Sequence, residues 1–189
     1  MNAARSKAHK QEDREISLPY AKNLEFKGII NYLTRKADNN SMNNIGTIEV
    51  TSNFNNPDGL PRNLLDFNFD NKLLYYEAEE SKDYAWVCYN FKDALVKITD
   101  YSIKPKNSNK YSYHPKSWDI ETSNDGINWT TIDKQKDCKS LNGATNPVSF
   151  HLKKCDYVRY VRFRQTEVPW GGGHIWFRAI EFYGYIEHL

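Results

Sequence analysis

From Gly46 to its end the chain is cut into short alternating segments, each closed by a turn signal, and no segment there is long enough for a substantial helix. Thr47-Ile48-Glu49-Val50-Thr51 repeats with the period of two that places alternate side chains on opposite faces of a strand. Trp86 to Phe91 is a second such run. Leu95 to Ile103 is a third, with Val96, Ile98 and Tyr101 as its inward candidates. Ser117 to Thr122 follows, Asn124-Asp125-Gly126 supplies the residues of a tight turn, and Trp129 to Ile132 returns as the hairpin mate. Val148 to Leu152, Tyr157 to Arg164 and Ile175 to Tyr185 complete about eight strands, a number and spacing that predict a β-sandwich or jelly roll. The 13 Tyr, 9 Phe and 5 Trp agree, because aromatic side chains suit a half-buried pleated surface.

The residues before Gly46 read differently. Met1 to Glu15 is polar with no apolar face, which predicts a frayed tail. Phe26, Ile29, Ile30 and Leu33 stand at i, i+3, i+4 and i+7, one apolar stripe of a short helix that ends before Asp38-Asn39-Asn40. The expected organisation is a flexible tail over 1–22, a helix and linker packed on the domain over 23–45, and one β domain over 46–189. A chain of 189 residues buries roughly 70% of its unfolded surface and needs no disulfide or metal to fold.

Charge and motifs exclude several functions. The net charge is +2, from 26 basic and 24 acidic residues, which argues against a dedicated nucleic-acid binder. The chief basic cluster, Lys153, Lys154, Arg159, Arg162 and Arg164, reads as partners for neighbouring strands rather than for phosphates. No apolar run approaches the roughly 20 residues of a membrane span, and no apolar leader follows Met1. Cys88, Cys138 and Cys155 form no CxxC or CxxH pair, which argues against a zinc site, and with no secretion signal they read as reduced thiols of a cytoplasmic protein. No GxSxG, HExxH or P-loop is present, and Gly171-Gly172-Gly173 lies between strands with no Lys-Ser or helix after it. The expectation is therefore a protein that is not an enzyme.

The run Pro115-Lys116-Ser117-Trp118-Asp119-Ile120-Glu121-Thr122-Ser123-Asn124-Asp125-Gly126-Ile127-Asn128-Trp129 resembles the central signature of the discoidin family, also called the coagulation-factor C-type domain. Other landmarks follow in the family's order: Asn63-Leu64-Leu65-Asp66, Trp86 to Phe91, Ala94 to Ile98, Tyr157 to Arg162, and Ile180 to Gly184. The likeness covers about Gly46 to Ile186. It implies an eight-stranded antiparallel jelly roll of the galactose-binding type, here with a short N-terminal helix. Phe26-Lys27-Gly28-Ile29-Ile30-Asn31-Tyr32-Leu33 and the glycine-rich Trp170 to His174 resemble intracellular members that accompany BTB or ankyrin modules. The two cysteines that clamp the ends of secreted members are absent from the expected places.

Strand parity locates the candidate surface. With the Asn124-Asp125-Gly126 bend at one pole, the connections 104–115 and 133–147 and those preceding Trp86 and Ile175 fall at the other. The resemblance implies the same, since family members bind through loops away from their termini. The candidate ligand-binding residues are Arg62, Tyr75, Tyr111, His114, Trp170 and His174: aromatics to stack or anchor, and polar groups to orient. The expected function is a non-catalytic binding module, in the first place an intracellular protein-interaction or substrate-recruiting domain within a larger chain, with binding of galactose-like glycans as the alternative. No cofactor is expected. The resemblance raises a structural calcium near the first loop, for which Asp58 and Asp66 are the only nearby acids.

Overall fold

The computed structural model describes residues 15–39, 48–54, 56–57, 59–72, 75–79 and 84–189. Eleven strands and one α-helix occur among them: β1 (Glu15–Leu18), α1 (Ile29–Asn39), β2 (Glu49–Ser52), β3 (Tyr76–Glu79), β4 (Trp86–Asn90), β5 (Ala94–Lys104), β6 (Trp118–Ser123), β7 (Thr130–Gln135), β8 (Val148–His151), β9 (Tyr160–Gln165), β10 (His174–Phe177) and β11 (Ala179–His188). A 3-10 turn occupies Pro61–Leu65. Two antiparallel sheets face each other, ordered β1-β11-β5-β8 and β2-β4-β9-β6-β7, and β10 with β3 forms a separate two-stranded ribbon. This is the all-β jelly roll that the sequence predicts.

The β6–β7 hairpin is built as the sequence indicates. Gly126 takes φ +73°, and the Ser123 hydroxyl accepts the Gly126 N–H at 2.9 Å. Asp125 accepts from the Asn128 side chain at 2.7 Å and from the Asn128 and Ile127 N–H groups at 2.8 Å, which holds its carboxyl far below the ordinary range. The core between the sheets is aromatic. Trp118 is fully buried between Phe163 and Phe150, and its Nε1 donates to the Tyr101 hydroxyl at 3.0 Å. That hydroxyl donates in turn to Asp133 at 2.6 Å, so the largest buried ring leaves no stranded donor. Ile29, Ile30 and Leu33 of the expected stripe are buried on α1, which packs against β11; Phe26 is buried as well but precedes the helix at φ +64°, and the helix runs to Asn39 instead of ending before Asp38.

Three further expectations are corrected. Residues 15–18 of the supposed tail form β1, paired with β11 from Glu15↔Glu187 to Leu18↔Gly184, and the Tyr157 hydroxyl donates to the Glu15 carboxylate. The rest of that tail up to Arg14 lies outside the described residues, as does the linker Asn40 to Thr47. The unanticipated β3 pairs with β10. The expected last strand breaks at Arg178, whose guanidinium donates to the Phe69 and Asn71 carbonyls at 2.9 and 2.6 Å, so β10 leaves the sheet to meet β3.

Register fixes the two poles. Trp118 pairs with both Gln135 and Gln165, and Ser123 pairs with Tyr160. The connections 105–117, 136–147 and 166–173 therefore gather at one end, and the Asn-Asp-Gly bend lies at the other with the end of β11.

Candidate functional site

The loop pole is held by main-chain bonds between connections far apart in sequence. The Tyr113 N–H donates to the Trp170 carbonyl at 2.7 Å, the Trp170 N–H to the His114 carbonyl at 3.0 Å, and the Trp176 N–H to the Tyr113 carbonyl at 2.8 Å. Tyr111 and Tyr113 both sit at positive φ, +56° and +60°, a conformation that costs a side-chain-bearing residue about 1–2 kcal/mol. The neighbours offset that cost: the Asn142 side chain accepts the Tyr111 N–H at 2.7 Å. Gly171 passes so close to Tyr111 that a Cβ would stand 2.0 Å from its carbonyl oxygen.

On this frame aromatic rings and polar groups converge. The Lys106 ammonium lies 3.5 Å from the centres of both the Tyr75 and Trp176 rings, which are 6.4 Å apart, so it sits between them. Burial lowers the Lys106 pKa, and the Glu77 carboxylate opposes that shift. His174 Nδ1 stands 3.2 Å from Glu77 Oε1, an ion-pair distance without hydrogen-bond alignment. The Tyr113 ring meets Trp176 at 4.5 Å and His174 at 5.4 Å, both edge to face. Alternation along β10 places His174 and Trp176 on the half-exposed side and Ile175 and Phe177 in the core. The surface offers rings with apolar faces, an ammonium, a carboxylate and an imidazole, which suits a ligand carrying both C–H faces and hydroxyls.

Of the six sequence candidates, Tyr75 and His174 belong to this cluster. Trp170 and Tyr111 form a second patch beside it, with rings 5.9 Å apart and Tyr111 63% exposed. The Trp170 Nε1 donates to the Cys138 carbonyl at 2.9 Å, so this ring also closes the pole. His114 is withdrawn from the surface. It is fully buried, its Nε2 bonds the Asn109 carbonyl at 2.8 Å, and burial lowers its pKa, so it holds the loop rather than a ligand. Arg62 is apart from the others, exposed on the 3-10 turn facing α1. Tyr113, Trp176, Lys106 and Glu77 complete the cluster and are not among the six candidates. Trp176 was legible, because the alternation of His174 and Trp176 with Ile175 and Phe177 is visible in the chain. Lys106 was not, because its place depends on how a long loop folds back.

Arg162 and Arg164 are structural, as the sequence suggests. Both bond the buried Glu121, at 2.7 and 2.9 Å, and Arg164 also reaches Asp119 at 2.8 Å. Arg162 further stacks on Trp129, 3.9 Å from its centre. The three cysteines are free thiols. Among the described residues no three His, Cys, Asp or Glu side chains gather as metal ligands. Asp58 lies outside the described residues, and Asp66 accepts the Asn68 N–H at 2.8 Å. No helix among the described residues is long and apolar enough to cross a membrane.

The sequence matches the F5/8 type C domain over residues 47–182. None of the curated proteins matches it. Among solved structures, CpGH89CBM32-5 from Clostridium perfringens, in complex with GalNAc-β-1,3-galactose, is similar at TM-score 0.59 and 13% identity, over 73% of this chain and 96% of that one. The family 32 carbohydrate-binding module of Clostridium perfringens NanJ, in complex with galactose, is similar at TM-score 0.57 and 10% identity, over 74% and 93%. The family 32 module of AlyQ, in complex with 4,5-unsaturated mannuronic acid, is similar at TM-score 0.56 and 12% identity, over 71% and 93%. At these identities the likeness is one of fold.

Proposed function

Because the chain belongs to the F5/8 type C domain family, a family of non-catalytic binding modules, we propose that its loop pole binds a galactose-like glycan. The carrying observation is the cluster of Tyr75, Tyr113 and Trp176 around Lys106, with Glu77 and His174 at its edge. An aromatic face covers the C–H face of a sugar, while an ammonium donates to its hydroxyls and a carboxylate accepts from them. The sugars seen with the Clostridium perfringens modules favour this class of ligand. The alternative of an intracellular protein-recruiting domain draws no support from those relatives.

Calorimetric titration of the full chain with galactose and with GalNAc-β-1,3-galactose tests the proposal. Wild type binds, and Trp176→Ala or Glu77→Gln weakens binding by about tenfold or more, the loss of roughly 1.4 kcal/mol. Silence of wild type across a glycan array, or equal affinity of Trp176→Ala, overturns it. Capture of a protein from cell extract that is lost in Trp170→Ala, with no glycan bound, would return the assignment to the protein-recruiting reading.

A further inference from the structure

A second site lies at the junction of the N-terminal helix with the family domain. The cleft between α1 and the 3-10 turn, about 720 Å³, is walled on one side by Asn31, Thr34 and Arg35 and on the other by Arg62. Residues 29–39 of α1 precede the segment that matches the family, whereas Arg62 and Leu65 to Phe69 lie within it, so the cleft forms where the N-terminal helix meets the family domain. We propose that this cleft binds a sugar acid, its carboxylate taken by Arg35 and Arg62.

Three observations converge. The first is charge. Lys27, Arg35 and Arg62 line the cleft together with Glu25 and Asp66, and among the described residues none of the three cations has an ion-pair partner. Three cations face two acids, so the formal charge of the lining is +1, and each acid accepts one hydrogen bond without losing its charge. Asp66 accepts the Asn68 N–H at 2.8 Å, and Glu25 accepts the Tyr20 hydroxyl at 3.4 Å. Elsewhere the guanidiniums of Arg162, Arg164 and Arg178 are used by the fold, on carboxylates or on main-chain carbonyls. Arg35 and Arg62 are exposed and keep their forked donors for a planar oxyanion.

The second observation is the floor. Phe67 and Phe69 lie with rings nearly parallel, 26° between planes and 6.1 Å between centres, and both pack on Phe26. Arg178 and Lys104 hold Phe69 at 5.5 and 5.0 Å. Both Phe67 and Phe69 are half-buried, so part of this strip of aromatic surface stays open to the cleft. The third is the polar wall. Asn31 and Thr34 stand at i and i+3 on one face of α1, with Arg35 beside them, and Asn68 faces the same space; the Thr34 hydroxyl donates to the Ile30 carbonyl at 2.9 Å and so offers the cleft an acceptor only. Aromatic faces for a ring, amides and a hydroxyl for its hydroxyl groups, and guanidiniums for a carboxylate match a uronic-acid residue better than a bare anion or a neutral sugar.

Titration of the full chain with a galacturonate trimer, in parallel with neutral galactose, tests this. The trimer binds wild type; Arg35→Gln and Arg62→Gln each weaken it about fivefold or more and the pair abolishes it, while Trp176→Ala leaves it unchanged. Both arginine variants keep the melting temperature and the galactose affinity of wild type, so a failure here is separate from a failure at the loop pole. Raising the salt from about 0.05 to about 0.5 M weakens the trimer, as screening requires. No binding by wild type overturns the proposal, as does loss of the trimer on Trp176→Ala with both arginine variants intact. Equal displacement by inorganic phosphate would show that charge alone is read, and would overturn the sugar assignment.

Discussion

Single side chains decide whether the strands of this protein hold their polar cargo. Glu121 is buried on β6 and binds two guanidiniums from β9, so each partner satisfies a charge that water cannot reach easily. Removing it strands Arg162, the more buried of the pair, and Glu121→Ala is expected to lower stability by about 3 kcal/mol in urea unfolding. An unchanged midpoint would place the pair among surface bridges of small value. Gly171 is a second decisive residue. At φ +93°, with Tyr111 O only 2.0 Å from a Cβ, Gly171→Ala must push two connections apart, costing about 2 kcal/mol and glycan affinity together. Gly173, at φ +74° with nothing within 4 Å of a Cβ, carries only the conformational term, about 1 kcal/mol, and Gly173→Ala keeps binding. Thermal melts and titrations of the two variants separate close approach from backbone conformation.

At the scale of elements, α1 shows how an added helix is attached. Its first turn has no acidic residue and is capped from across the fold. The Glu181 carboxylate on β11 accepts N–H groups from Ile30 at 2.8 Å, Asn31 at 3.1 Å and Gly28 at 3.2 Å, and from its own neighbour Phe182 at 2.9 Å. Gly28 permits this, because a Cβ there would lie 2.1 Å from the Phe182 carbonyl oxygen. Burial pushes Glu181 up to about 7, against the pull of those donors, from an ordinary value of 4.5. The folded state therefore holds this proton more tightly than the unfolded chain does. The resulting stabilisation is complete below about pH 4.5, declines as pH rises, and is gone above about pH 7, a span of roughly 3 kcal/mol. His114 runs the other way: burial favours its neutral form, so its contribution is present above its ordinary pKa and falls on acidification. Comparing wild type with Glu181→Gln cancels the histidine. The variant loses about 1–3 kcal/mol at pH 5 from poorly satisfied donors and the missing proton site, and less at pH 8. A gap that is constant with pH would show that Glu181 does not titrate between those values.

At the scale of the whole molecule, the terminal strands and the long loops meet at opposite poles. The end of β11 and the Asn-Asp-Gly bend share one pole, and the glycine loop with its aromatic neighbours occupies the other. β1 covers the outer edge of β11, which would otherwise present a row of unpaired main-chain groups. Deleting residues 1–18 is expected to cost about 1–3 kcal/mol from four lost cross-strand pairs and to promote association in light scattering. Glycan affinity at the opposite pole stays as in wild type. Loss of binding on that deletion would show that the poles are coupled.

Local pattern by itself determined much of this: the period-two runs of Trp86 to Phe91 and Ser117 to Thr122, the bend at Asn124-Asp125-Gly126, the stripe of Ile29, Ile30 and Leu33 on α1, and through strand parity the pole where the long loops meet. These are near-neighbour properties, fixed by side-chain alternation and turn geometry within a few residues. Only the tertiary structure decided that Ile16 and Leu18 find a partner on β11, that His114 is interior, that Lys106 lies between Tyr75 and Trp176, and that Glu181 caps a helix about 150 residues upstream. Each depends on which distant groups desolvate one another once the sheets close. His114, Lys106 and Glu181 are polar residues with no local trace of those contacts, whereas Ile16 and Leu18 alternate with Glu15 and Ser17 and lacked only a visible partner.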